Sequence, residues 1–254
     1  MVGEERLAQE LRGAAERGEI VAHYQPQIEL ATGRIVGAEA LARWRHPELG
    51  VIAPGVFIPI AEETALIHSI GRFMLSTVLE TAAHWRRGGI DLEVSVNVSA
   101  NQLTTLEFFD LLDADIAHYE LPTNAVTIEI TESQPILDTP SIADRLSVLR
   151  AHGLGISIDD YGVGYSSLQQ LDRMPATELK IDLSLVQDDS VEAYALMTAV
   201  VELAHWRGMR VVAEGIETPE QLARVRELDC ERAQGYLLGM PMSRDDLEEL
   251  VRSV

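Results

Sequence analysis

The stretch Val126-Thr127-Ile128-Glu129-Ile130-Thr131 (126–131) alternates apolar and polar residues, so an extended strand here carries Val126, Ile128 and Ile130 on one face and Thr127, Glu129 and Thr131 on the other. Alone, such alternation is also what an antiparallel sheet with one wetted face would show. The flanking sequence decides between the two. On the C-terminal side the pattern recurs at Gly155–Asp159, Glu178–Asp182 and Arg210–Glu214, where Ile156 and Ile158 oppose Ser157 and Asp159, Leu179 and Ile181 oppose Lys180 and Asp182, and Val211 and Ala213 oppose Val212 and Glu214. Helical periodicity near Ser141–His152, Val191–Arg207 and Pro219–Leu228 fills the gaps. On the N-terminal side Leu92–Val98, Ile35–Arg43 and Ile20–Gln25 read as strands, Arg232–Tyr236 as a last one, and Ala61–Arg87, Phe108–Tyr119 and Asp245–Val254 as helices.

Eight strands with interleaved helices in about 250 residues is the arithmetic of a TIM-type (β/α)8 barrel. The first two strands are joined only by Ala31-Thr32-Gly33-Arg34, too short for a parallel crossover, so they should form a hairpin. The expected fold is therefore α/β: a modified TIM-type (β/α)8 barrel with an antiparallel first strand. Residues 1–254 read as one domain because no Pro/Gly/Ser-rich linker divides them, with a charged N-terminal helix over 1–19.

In such a barrel the helices cover the apolar strand faces, and the polar faces point inward, where charge is costly unless paired or metal-bound. Asn97, Glu129, Asp159, Asp160, Lys180, Asp182 and Glu214 all fall near the C-terminal ends of their strands, the rim where barrel enzymes place their chemistry. Carboxylates crowded there repel unless protonated or neutralised by cations. Oxygen-only ligands select hard ions such as Mg²⁺ or Mn²⁺, and two ions sharing a carboxylate suit an in-line phosphoryl displacement.

Composition narrows the alternatives. With 41 acidic residues and a formal charge of −21, the chain has no basis for a nonspecific grip on duplex nucleic acid, and an anionic substrate would need cations and a few placed arginines. No run of about eighteen apolar residues appears, and the N-terminus lacks the apolar core of a signal peptide, so neither membrane insertion nor secretion is expected and a cytoplasmic location is. The single cysteine, Cys230, rules out an intrachain disulfide or thiolate cluster, and the seven histidines form no His-X-X-X-His pair. Gly162-Val163-Gly164 lacks the Lys-Ser/Thr of a P-loop, Ser166-Ser167 lacks a nucleophile elbow, and the Asn97-Val98-Ser99 sequon has no secretory route to serve it.

The ordered motifs are more specific than any of these signals. They read Tyr24-Gln25-Pro26, Glu39-Ala40-Leu41-Ala42-Arg43-Trp44, Phe57-Ile58-Pro59, Asn97-Val98-Ser99, Glu129-Ile130-Thr131-Glu132, Asp159-Asp160-Tyr161-Gly162-Val163-Gly164-Tyr165-Ser166-Ser167-Leu168, Leu179-Lys180-Ile181-Asp182, Ala213-Glu214-Gly215-Ile216-Glu217-Thr218 and Gln234-Gly235-Tyr236. Together they resemble the EAL family of cyclic di-GMP phosphodiesterases, from about Tyr24 to Met242. The resemblance implies that Glu39, Asn97, Glu129 and Asp159 hold one Mg²⁺ or Mn²⁺ and that Asp159, Asp160 and Glu214 serve the second. It implies that Lys180 hydrogen-bonds the attacking water, with Glu214 often cast as general base. Arg43 would neutralise a substrate phosphate, and Gln25, Leu41, Asp182 and Gln234 would line the nucleotide pocket. Glu132 and Glu217 would support the site from outside, Glu132 by steadying the loop that begins at Asp160. Tyr161 and Val163 depart from the family's usual Phe and Thr in this loop, which in the family lies near a subunit interface. A homodimer, and sensor or cyclase domains outside this chain, are the further expectations.

The activity so implied is hydrolysis of cyclic di-GMP to linear pGpG. The alternatives are a receptor that binds the dinucleotide without cleaving it and signals through a protein partner, and a phosphodiesterase for linear dinucleotides or another phosphodiester. Receptors of this kind typically lack a metal ligand, and here the ligand set is intact.

Overall fold

The computed structural model describes residues 3–131, 140–162 and 174–253. Alternating apolar stretches rich in Val and Ile become strands β1 Ile20–Glu29, β2 Ile35–His46, β3 Gly50–Ile52, β4 Glu93–Asn97, β5 Val126–Thr131, β6 Gly155–Tyr161, β7 Glu178–Ile181, β8 Arg210–Ala213 and β9 Arg232–Ala233. The order β1-β2-β4-β5-β6-β7-β8-β9 closes on β1 as an eight-stranded barrel, and β3 pairs with β2 outside the ring. β1 runs antiparallel to both of its neighbours, as the four-residue turn requires, whereas the other ring strands are mutually parallel.

Helices α1 Glu4–Leu11, α2 Pro54–Glu63, α3 Ile67–Arg87, α4 Ala100–Leu103, α5 Leu106–His118, α6 Pro140–Ala151, α7 Leu183–Gln187, α8 Val191–Trp206, α9 Pro219–Glu227 and α10 Arg244–Ser253 connect and surround the strands. Three expectations need correction. The N-terminal helix ends at Leu11 rather than reaching residue 19, because Gly13 and Gly18 take positive φ of 71° and 70° and turn the chain. The helix expected over Ala61–Arg87 is two helices, separated where Ala65 adopts a φ of 58°. The last strand covers only Arg232–Ala233 instead of running to Tyr236.

The apolar strand faces pack outward. Val94, Val96, Ile128, Ile130, Ile156, Ile158, Leu179, Ile181 and Val211 are buried against the covering helices in one continuous core. Each such side chain contributes roughly 1.5–3 kcal/mol by leaving water. A second cluster joins Leu7, Leu11 and Ala14 to Ile20, Trp44, Phe57 and Ile60, so α1 and α2 cover one end of the β1–β2 hairpin. His46 fastens α1 there through Nε2 to Glu10 at 2.9 Å, while its Nδ1 accepts the Glu48 and Leu49 amides. Cys230 is buried, and burial followed by the nearby Glu231 and Asp229 pushes its thiol up to about 12, leaving it inert. No helix among the described residues is long and apolar enough to cross a membrane.

Candidate metal centre

With the apolar faces turned out, the polar faces line the lumen, and strand register sets the height of each group. Glu39 lies opposite Ser95, Asn97 opposite Glu129, and Thr131 opposite Asp159, so the acidic groups of β2, β5 and β6 climb toward one rim. Lys180 of β7 stands among them, fully buried. Its ammonium lies 2.8 Å from Glu214, 2.9 Å from Glu129, 3.0 Å from Asp159 and 3.3 Å from Glu39.

Simple alternation would point Asp159 and Asp160 to opposite faces. The β6–β7 register instead slips between Ile158 and Tyr161, and Asp160 takes a φ of 57°, a conformation Asp tolerates better than most residues. This bulge brings both carboxylates to the rim. Glu39, Glu129 and Asp159 offer oxygens within 4.8 Å of one another, as do Asp159, Asp160 and Glu214, with Asp159 common to the two groups. Asn97 donates Nδ2 to Glu39 at 2.8 Å, which leaves its Oδ1 as the atom able to ligate.

One ammonium does not balance this many acids. Burial, then Asp159 and Glu39, lift Glu214 to about 8 against the opposing pull of Lys180. Burial and Glu39 raise Glu129 well above the ordinary carboxylate range, and partial desolvation with Asp159 and Asp182 brings Asp160 to about 6. For Glu39 burial is outweighed by Lys180 and by the amides of Gln234 and Asn97, which hold it low; Lys180 itself is pushed well up by its four carboxylates in spite of burial. Glu129 Oε1 is buried and accepts no hydrogen bond of ordinary geometry among the described residues. An oxygen-rich, over-charged and under-donated cluster of this kind fits hard divalent cations.

A cavity of about 540 Å³ opens above the cluster, lined by Gln25, Glu39, Leu41, Asn97, Asp159, Asp160, Glu214 and Gln234 and, on its apolar side, by Ile58, Pro59 and Met74. Arg43 and Asp182 are not among the described residues that line it. Asp182 caps α7, accepting from the Ser184 backbone at 2.8 Å and from the Ser184 hydroxyl, and Arg43 donates to the Ala42 carbonyl at 2.8 Å. Glu217 is exposed beyond β8. Tyr161 closes β6 as a buried residue; Glu132, Val163, Ser166 and Ser167 lie outside the described residues.

Sequence reading overlooked a second polar cluster at the opposite end of the lumen. Arg210 meets Glu93 at 2.6 Å and also pairs with Glu178, Arg232 donates to Glu93 at 2.8 Å, and Thr127 donates to Glu93 at 2.7 Å. Glu93, Glu178, Arg210 and Arg232 are each the first residue of their strand, and that shared position was the available signal. Gln27, between the two clusters, was also missed, although it shares its strand face with Gln25.

A family model described as EAL domain matches residues 8–241. The chain is 40% identical over 246 residues to the bifunctional diguanylate cyclase/cyclic di-GMP phosphodiesterase MucR of Pseudomonas aeruginosa, a match covering 95% of this chain and 36% of that protein. It is 37% identical over 238 residues to the cyclic di-GMP phosphodiesterase RocR of the same organism, covering 93% of this chain and 60% of RocR. The chain thus spans less than two thirds of either relative. Among solved structures, the PaMucR phosphodiesterase in complex with c-di-GMP superposes with a TM-score of 0.90 at 39% identity, covering 95% of this chain and 99% of that one.

Proposed function

The chain belongs to the EAL domain family, and on that premise we propose that it is a phosphodiesterase that opens cyclic di-GMP to linear pGpG with two Mg²⁺ or Mn²⁺ ions. The observation that carries the reading is the pair of acidic groups sharing Asp159 at the floor of the cavity. Glu39, Asn97, Glu129 and Asp159 would hold one ion and Asp159, Asp160 and Glu214 the other. Bound there, such a pair lowers the pKa of water and neutralises charge on a phosphoryl group.

The protein's own groups do the rest. Lys180 has its ammonium at the centre of four carboxylates, which occupy its three N–H groups; cations taking up those carboxylates would free an N–H to donate to an attacking water. Glu214, which in this reading also ligates the second ion, would receive the proton of that water; in the metal-free site burial, with Asp159 and Glu39, pushes its carboxyl up to about 8. Gln25, Leu41 and Gln234 line the cavity and would contact a nucleotide there. Arg43 would neutralise a substrate phosphate and Asp182 would contact the nucleotide, both from outside the lining, with Glu217 and Glu132 as outer support. A homodimer and regulatory domains beyond this chain complete the proposal.

The test is chromatography of cyclic di-GMP incubated with metal-stripped protein, with and without Mg²⁺ or Mn²⁺. Metal-dependent pGpG is expected, and Glu39→Ala should lower turnover by about a hundredfold or more, since even residues that only support a ligand are worth about 10–100-fold. Absence of pGpG with either metal would overturn the assignment.

A further inference from the structure

Between the two polar clusters a single file of side chains crosses the lumen. Arg232 Nη1 donates to Gln27 Oε1 at 3.2 Å, Gln27 Nε2 donates to Gln234 Oε1 at 3.3 Å, and Gln234 Nε2 donates to Glu39 Oε2 at 2.5 Å and Glu214 Oε1 at 3.3 Å. Gln27, Arg232 and Gln234 are all buried, at 2%, 9% and 5% exposure, so water competes little for these bonds. Arg232 is itself held by Glu93.

The ends of the file fix its direction. A guanidinium only donates and a carboxylate only accepts, whereas each amide between them has one donor and one acceptor end. Arg232 therefore forces the Gln27 oxygen toward itself, which sends the Gln27 nitrogen to Gln234 and the Gln234 nitrogen to the carboxylates. If Gln234 alone flipped, its oxygen would face the Glu39 oxygen 2.5 Å away and its nitrogen would face the nitrogen of Gln27. The barrel wall makes room for the first link. Gly37 lies opposite Gln27 where the β1–β2 register slips, and a Cβ there would come within 3.2 Å of Gln27 Oε1 and 3.3 Å of Arg232 Nη1.

Glu39 belongs to one acidic group and Glu214 to the other, so the Gln234 amide spans both. We propose that Gln27 is a positioning residue, which, anchored by Arg232, orients Gln234 and thereby sets the spacing of the two cation positions. The inference rests on the two-ion reading above. Gln27 touches neither set of ligands, and its role is exerted through Gln234.

The experiment is a Mn²⁺ titration of the metal-stripped full chain without substrate, followed by electron paramagnetic resonance. The six-line signal of free Mn²⁺ counts unbound ion, and exchange coupling between bound ions reports their spacing. Wild type is expected to bind two coupled ions. In Gln27→Met, of similar volume, and Gln27→Asn, too short to bridge its partners, the weaker ion should bind about tenfold less tightly and the coupling should change, with the thermal midpoint near that of wild type. Either variant that melts as wild type does, yet binds two ions with unchanged affinity and coupling, overturns the role of Gln27. Should the methionine variant not fold, the asparagine variant decides. Wild type that binds no Mn²⁺ would instead overturn the two-ion reading itself.

Discussion

The two ends of the barrel lumen use the same residue types to opposite effect. At the N-terminal end two carboxylates, Glu93 and Glu178, meet two guanidiniums, Arg210 and Arg232, and the formal charges cancel. At the C-terminal rim four carboxylates, Glu39, Glu129, Asp159 and Glu214, surround one ammonium, Lys180, with Asp160 beside Asp159 and Glu214, so the acids far outnumber the base. Acidity follows the balance. Glu93 is held below the ordinary range because Arg210 and Arg232 outweigh its burial, whereas Glu129, Glu214 and Asp160 are all raised. A balanced buried cluster answers each of its charges from within the fold. An unbalanced one is held together by the fold, and is left in need of a ligand.

The sharpest way to break this contrast is at the balanced end. Arg210→Met leaves Glu178, whose side chain is 1% exposed, without the guanidinium that pairs with it, and leaves Glu93 with Arg232 alone. Removing one member of a buried pair typically costs about 3–5 kcal/mol. Urea denaturation should show a loss of that order, while the folded fraction at low temperature keeps the turnover proposed for the wild type. A loss below about 1 kcal/mol would mean that this cluster is as dispensable as a surface ion pair.

At the unbalanced end the sign should reverse. Glu214→Gln imitates the protonated carboxyl that the site already favours, so without metal at pH 8, where the unfolded carboxyl is ionised, the variant should be more stable than wild type by up to about 4 kcal/mol, each pKa unit between 4.5 and about 8 being worth 1.36 kcal/mol. Turnover should fall with it. A variant both less stable and less active would place Glu214 with the structural ion pairs.

The contrast also explains what the sequence made legible. Period-two alternation exposes which residues face the lumen, and the four residues 31–34 force the antiparallel first strand, so the barrel and most of the rim carboxylates could be read directly. The roles of Glu39, Asn97 and Gln234 came from the ordered motifs, because alternation does not say which lumen groups meet. Asp160 defied alternation: only a bulge and a positive φ bring it beside Asp159. The file Arg232–Gln27–Gln234 and the lower cluster went unseen because the links that define them, such as Arg210 to Glu93 and Gln27 to Gln234, join residues 117 and 207 positions apart that meet only when the ring closes. The break at Ala65 and the outlying β3 had no periodic signal that tertiary packing did not override.

The smallest expected effect separates the two ends by pH. Glu214 moves from an ordinary 4.5 to about 8 and Asp160 from 3.8 to about 6, so between these values the metal-free native state binds more protons than the unfolded chain and its stability falls as pH rises. Glu93 acts in the other direction: its contribution is present above its ordinary 4.5 and is lost as pH falls through its lower folded value. Metal-free protein should therefore melt highest at mildly acidic pH. Cations at the rim must displace the extra protons, so Mn²⁺ should raise the melting temperature more at pH 8 than at pH 6, by a few degrees, about what 1 kcal/mol is worth in a domain of this size. Calorimetric titration at pH 7 in two buffers of different ionisation enthalpy should register the released protons. A melting-temperature gain that does not vary between pH 6 and 8, with no proton release, would mean that the rim carboxylates are already ionised and balanced before any cation arrives, and the distinction between the two ends would collapse.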